Sequence, residues 1–174
     1  MVYLAHPRTA SRATSEALVQ QAGFIKQVKP RSQIGDHEGI HENIPDDWIV
    51  FTTVRNHFDT LVSWYFHKNP RPSEKPPFDK GFIQRSLATC YFPILDRMWG
   101  MHRPLASHVL RYERLDAELN ALLEYRGLGP VELPELGVSE NRQNRSYRIF
   151  YDEPAREYVE DRFHIEMAEL NYSW

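Results

Sequence analysis

Residues 48–54, WIVFTTV, are apolar or β-branched throughout, with no polar alternation. A strand with one wet face alternates with period two; an unbroken run of this length reads as a strand buried on both faces, as in parallel sheets. A chain carrying such a strand must also supply helices to cover it. Residues 2–5 (VYLA) form a short apolar run that breaks at His6-Pro7, and residues 12–22 (RATSEALVQQA) favour helix up to Gly23. Phe58, Leu61, Val62, Tyr65 and Phe66 recur at helical spacing over residues 58–67. Residues 82–98 read as a helix that Pro93 kinks or divides, and residues 107–112 as another strand. A helix over residues 115–125 stops at Gly127, and Pro154 sits in the first turn of a last helix reaching Leu170. Residues 24–28 are compatible with a short strand, residues 69–77 (NPRPSEKPP) with an exposed loop, and residues 128–146 with an irregular excursion. Strands alternating with helices predict an α/β fold: three layers, α/β/α, on a central, mainly parallel sheet, as one domain over residues 1–174. Ligands of such folds collect at the carboxyl ends of strands.

Bulk properties exclude more than they suggest. The 174 residues are 41% hydrophobic, enough for a sizeable core, and a net charge of −3 offers no basic field to nucleic acid or anionic membrane. No apolar run is long enough to span a bilayer, and residues 1–20 lack the apolar core of a signal peptide. The single cysteine, Cys90, makes no internal disulfide, which suits a reducing, cytoplasmic compartment. The sequons at Asn144 and Asn171 are then not expected to carry glycan.

One pentapeptide invites a metal. His37-Glu-Gly-Ile-His41 has the H-E-x-x-H spacing of zinc peptidases, in which two imidazoles one helical turn apart hold the ion. That geometry needs a regular helix. Here Gly35 and Gly39 loosen the segment, Pro45 ends it, and no glycine and third histidine follow the pair. The zinc reading is disfavoured and no metal is expected.

The first strand–loop–helix, VYLA-HPRTASRAT-SEAL, is richer. Small and hydroxyl residues after a strand let backbone N–H groups converge at a helix N-terminus, where the dipole favours an anion; Arg8 and Arg12 add charge. The plain alternative is a βα turn with a side-chain cap. No Walker G-x-x-x-x-G-K-[ST] is present, which argues against an ordinary ATP or GTP site. The buried strand delivers Arg55 to its carboxyl end, and Ser63 lies eight positions on, about two helical turns away. Together they could hold a second anion; alternatively Arg55 pairs with a nearby carboxylate and Ser63 faces solvent.

In this order, the pieces resemble the sulfotransferases that use 3′-phosphoadenosine 5′-phosphosulfate (PAPS). The family's P-K-[ST]-G-[ST]-[ST] loop is similar to Pro7-Arg-Thr-Ala-Ser-Arg12, and its R-[ND]-P-x5-S-x-[YF] module to VRNHFDTLVSWYFH. VLRYERL at 109–115 resembles its L-R-Y-E-D-L segment, and the ending, with Asn144-Arg-Ser146, resembles carbohydrate-type members. Arg8 stands where the family has lysine, Ala10 where it has glycine, and His57 where it has proline.

The resemblance implies a P-loop NTPase-like architecture and in-line transfer of a sulfuryl group from PAPS to an acceptor hydroxyl or amine, leaving 3′,5′-ADP (PAP). It casts His37, with His41 in reserve, as the base, and Arg8 as the group meeting charge on the leaving oxygen. It assigns Pro7, Arg8, Thr9, Ala10, Ser11, Arg12 and Ala13 to the 5′ end of the donor. Arg55 and Ser63 fall to the 3′-phosphate, and Arg145 is a further nucleotide contact. The acceptor is expected to be a small molecule, a sugar or another hydroxyl-bearing compound. A chain this short for the family has either an open acceptor site or one completed by a second copy in a homodimer. Trp64, Tyr65 and Phe66 read as core before pocket, and Arg142, Arg145 and Arg148 as a solvated basic face before an anion site. Two rival functions stand beside this one: a P-loop-type nucleotide or small-molecule kinase, and a noncatalytic module that binds the bisphosphate.

Overall fold

A computed structural model of the chain describes residues 1–6, 8–24, 44–68, 76–89, 104–136, 142 and 145–174. In chain order the elements are β1 (Val2–Leu4), α1 (Ser11–Gln21), β2 (Val50–Val54), α2 (His57–Lys68), α3 (Lys80–Thr89), β3 (His108–Arg111), α4 (Leu115–Tyr125) and α5 (Glu153–Glu169). Single 3₁₀ turns occupy Tyr112–Arg114 and Tyr147–Phe150. The fold is α/β. It divides into two compact units, one of Met1–Val54 with Ile94–Gly137 and one of Arg55–Pro93 with Val138–Trp174.

The first unit holds a three-stranded sheet in the order β1-β2-β3, every pair parallel. Tyr3 lies opposite Phe51, and Thr53 opposite Leu110. All five residues of β2 are buried, as the unbroken apolar run requires. The strand begins two residues later than expected. Trp48 is 48% exposed and its N–H donates to the Pro45 carbonyl at 3.0 Å, so a turn has taken the first residue of the run. On one sheet face Phe51 and Leu110 pack with Ala17 and Leu18 of α1 and with the leucines of α4. Helix α4 closes in a Schellman motif: Gly127 takes φ +69, the Leu128 N–H reaches the Leu123 carbonyl (2.9 Å) and the Gly127 N–H that of Glu124 (2.8 Å). The irregular segment beyond it is pinned by amides that imitate a strand partner. Asn120 both donates to and accepts from the Val131 backbone (3.0 and 2.7 Å), and Gln21 does the same for Glu132 (2.9 and 2.8 Å).

The second unit is helical, with an aromatic core. The Phe58 ring meets those of Trp174, Tyr151 and Tyr147 at centroid distances of 4.6, 5.1 and 6.1 Å, mixing edge and stacked contacts. Trp64, Tyr65 and Phe66 are buried, as the core reading expects, with Tyr65 edge-on to Phe82 at 5.0 Å. Helix α3 starts at Lys80, two residues before the periodic signal, because Asp79 caps it: its carboxylate accepts the Phe82 N–H at 2.6 Å. Asp152 caps α5 in the same way, with Pro154 in the first turn. The remainder of the helix expected to reach Met98, and the strand expected after Phe24, lie outside the described residues.

Helix α2 opens on His57. Asn56 is its N-cap: the side chain accepts the Phe58 N–H (3.0 Å) and the carbonyl accepts the Thr60 N–H (2.9 Å). His57 is thus the first helical residue, where proline is also well tolerated. Its ring lies 4.6 Å from that of Phe163, its Nδ1 is buried without a hydrogen bond, and burial, helped by Arg162, lowers its pKa to about 4. The folded protein therefore resists protonation that the unfolded chain accepts from about pH 6.5 downward. Stability should be unaffected by this group above pH 6.5 and should fall as the pH drops toward 4, by on the order of 2 kcal/mol near pH 4.5. Comparing melting temperatures at neutral and acid pH checks this. His57→Pro should shrink the difference, and an unchanged difference would show that the ring is not its source.

Candidate functional site

The loop after β1 is set by a buried chain of hydroxyls. Thr9 is 1% exposed and its hydroxyl donates to the His6 carbonyl at 2.6 Å. That commits its one proton, so the 2.5 Å contact between Thr9 and Thr53 has Thr53 as donor. Thr53 then accepts from the Tyr3 hydroxyl at 3.0 Å. The direction Tyr3 to Thr53 to Thr9 to His6 ties β1, β2 and the loop into one cooperative string. Burial pushes the Tyr3 hydroxyl up to about 12, so it stays a donor at any physiological pH. Thr9 thus serves the loop through its side chain, and only its backbone N–H can serve a ligand.

Above this string the backbone turns sharply. Arg8 and Ala10 both adopt left-handed conformations, φ +64 and φ +60, with Thr9 between them. Ala10 is the N-cap of α1 and makes no side-chain cap, and the first turn carries no acidic residue. The ordinary capped βα turn is therefore not what forms here. Ser11 and Ala13 are buried and Arg12 is exposed. The left-handed N-cap also explains why glycine suits this position: alanine there costs about 1 kcal/mol in Cβ crowding. Ala10→Gly should raise the melting temperature by roughly 1–4 °C, measured by calorimetry or circular dichroism. A drop would mean that backbone freedom outweighs the crowding.

The second cluster surrounds the start of α2. Arg55 follows directly on β2 and turns its guanidinium onto Asp59, with Nε and Nη2 each 2.7 Å from Oδ2. The other carboxylate oxygen accepts from Nη2 of Arg142, 83 positions along the chain. The three side chains are only 9%, 11% and 16% exposed, so their charges act in a partly desolvated setting. Ser63 is buried and lies one turn beyond Asp59 on the same face of α2. Behind them the Tyr151 hydroxyl donates to the Phe58 carbonyl at 2.9 Å; burial, then Asp59, raises its pKa far above the phenol value.

Of the expected site residues, Arg55, just ahead of α2, turns onto Asp59, one turn from Ser63 on that helix, and Arg8 to Ala13 lead into and open α1. The nearby-carboxylate alternative for Arg55 is also realised, in Asp59. Arg145 is exposed, its guanidinium 5.2 Å from the Phe150 ring centre, while Arg142 joins the Arg55 cluster. Pro7, His37 and His41, the HEGIH segment included, lie outside the described residues. Among the described residues no three His, Cys, Asp or Glu side chains are grouped to hold a metal, and no helix is long and apolar enough to cross a membrane. The i, i+4 spacing of Arg55 and Asp59 was a signal that could have predicted their pairing; nothing local pointed to Arg142.

No family model, curated protein or solved structure matches the chain.

Proposed function

We propose that this chain is a PAPS-dependent sulfotransferase. The observation that carries the reading is the Arg55 guanidinium, fixed by Asp59 on the α2 face that also bears Ser63. A planar guanidinium fork and a serine hydroxyl are both suited to a tetrahedral dianion, and a 3′-phosphate is what separates PAPS from ATP. The left-handed turn from Arg8 to Ala10 and the uncapped start of α1 suit the donor's 5′-phosphosulfate.

In the proposed reaction an acceptor oxygen attacks sulfur as the bond from sulfur to the bridging oxygen breaks. The acceptor's proton passes to His37, the negative charge leaves on 3′,5′-ADP, and Arg8 offsets that charge as it develops. The transfer resembles phosphoryl transfer in depending on positioning and charge stabilisation more than on covalent chemistry. The donor's anionic groups are met by arginines and backbone N–H groups.

Thermal-shift and calorimetric titrations with 3′,5′-ADP, 5′-AMP and ATP with magnesium test the binding half. The expected order places 3′,5′-ADP well ahead of 5′-AMP, with no gain from magnesium. A preference for magnesium-ATP would instead support a kinase. Incubation with sulfur-labelled PAPS and a panel of sugars, phenols and amines tests the transfer half. Tight 3′,5′-ADP binding without transfer to any of them would leave only a bisphosphate-binding module.

A further inference from the structure

Two consecutive threonines of β2 use their hydroxyls on the chain that leaves β1, and both are fully buried. Thr52 donates to the carbonyl of Leu4, the last residue of β1, at 2.8 Å. Thr53 donates to Thr9, in the middle of the turn that follows. Valine at either place would suit the strand as well, because β-branching alone satisfies a pleated, buried surface. The Thr53 hydroxyl therefore acts on the turn. Arg8 and Ala10 hold φ +64 and φ +60 there, conformations that persist in L-residues only where the surroundings over-determine them. Between them Thr9 is 1% exposed, and its hydroxyl is bonded on both sides, to the His6 carbonyl and from Thr53. The bond to His6 is local to the loop and moves with it. The bond from Thr53 ties the loop to a buried strand 44 positions away. It thereby fixes where the turn, and the start of α1 that leaves it at Ala10, sit against the sheet.

We propose that Thr53 is a positioning residue for the loop that meets the 5′ end of the nucleotide, acting through the Thr9 hydroxyl. Being fully buried, it touches no ligand itself. The inference rests on the reading of Arg8 to Ala13 as the 5′-phosphosulfate loop and adds to it a residue of β2. The direction of the hydroxyl string sharpens the claim. Tyr3 stands upstream: its hydroxyl donates to Thr53, so removing it leaves the links from Thr53 to Thr9 and on to His6 in place. A string that only stabilises the fold predicts that cutting any link lowers the melting temperature and spares ligand selectivity. A positioning role predicts that selectivity falls only when the cut is made at Thr53 or beyond.

Calorimetric titration of the full chain with 3′,5′-ADP and with adenosine 3′-monophosphate isolates the 5′ end, because the two ligands differ only in the 5′-phosphate. Wild type should prefer 3′,5′-ADP. Thr53→Val keeps the shape and removes the hydroxyl. It should weaken 3′,5′-ADP by about ten-fold, the scale of one charge-assisted hydrogen bond put out of place, and leave the 3′-monophosphate within about two-fold. Thr53→Ser restores the hydroxyl and should recover most of the loss. Thr9→Val should lose at least as much as Thr53→Val, and the double variant no more than Thr9→Val, since both cut the same bond. Tyr3→Phe should lower the melting temperature and keep the preference for 3′,5′-ADP. Wild-type selectivity in Thr53→Val overturns the positioning role and leaves the proposed function standing. So does a loss of selectivity in Tyr3→Phe as full as in Thr53→Val. Should Thr53→Val fail to melt cooperatively, Thr9→Val decides in its place, and undiminished selectivity there overturns the proposal. A wild-type protein that binds 3′,5′-ADP no better than the 3′-monophosphate removes the 5′ loop from the proposed site, and the positioning role falls with it.

Discussion

Arg55→Ala should weaken 3′,5′-ADP by about a hundred-fold and 5′-AMP by no more than a few-fold. Charge-assisted hydrogen bonds to a phosphate contribute about 1.5–3 kcal/mol each after desolvation, and ten-fold in affinity corresponds to about 1.4 kcal/mol. The substitution leaves Asp59 paired with Arg142. Because Asp59 keeps one partner, the variant should still melt cooperatively, so the loss can be read on folded protein. Arg55→Lys keeps the charge but not the fork and should fall between the two. Equal losses for both nucleotides would remove the 3′-phosphate assignment, and with it the exclusion of ATP.

His37→Ala should slow sulfuryl transfer by roughly 10²- to 10⁴-fold, the usual contribution of a positioned general base, with 3′,5′-ADP affinity close to wild type. The residue that removes the acceptor's proton leaves a second mark. A histidine base gives kcat a rising limb as it loses its proton, and the variant should lose that limb together with the rate. His41→Ala serves as the comparison: if it, not His37→Ala, abolishes the limb, the roles exchange. Turnover retained in both variants would reject a histidine base from this segment.

Most of the secondary structure could be read from the sequence, for local reasons. The buried run gave β2, the helical spacing of Phe58 to Phe66 gave α2, and Gly23 and Gly127 marked two helix ends, both at positive φ. The misjudged boundaries were decided by groups that carry no periodic signal. Asp79 moved the start of α3 back by capping it, and a turn at Pro45 removed Trp48 from β2. The left-handed Ala10 could be anticipated only through the resemblance, since alanine itself favours helix and gives no hint of φ +60.

By itself the chain determined, among the described residues, where strands and helices fall, that their sheet is parallel, and that Ser63 follows Arg55 by eight positions. These follow from periodicity, capping and spacing, which act over a few residues. Only the tertiary structure decided that Thr9 surrenders its hydroxyl to a string reaching Thr53, and that Asp59 draws in Arg142 rather than Arg145. Those pairings join residues 44 and 83 positions apart. No local pattern encodes them, because which polar groups meet across such distances is set by how the surrounding apolar side chains pack.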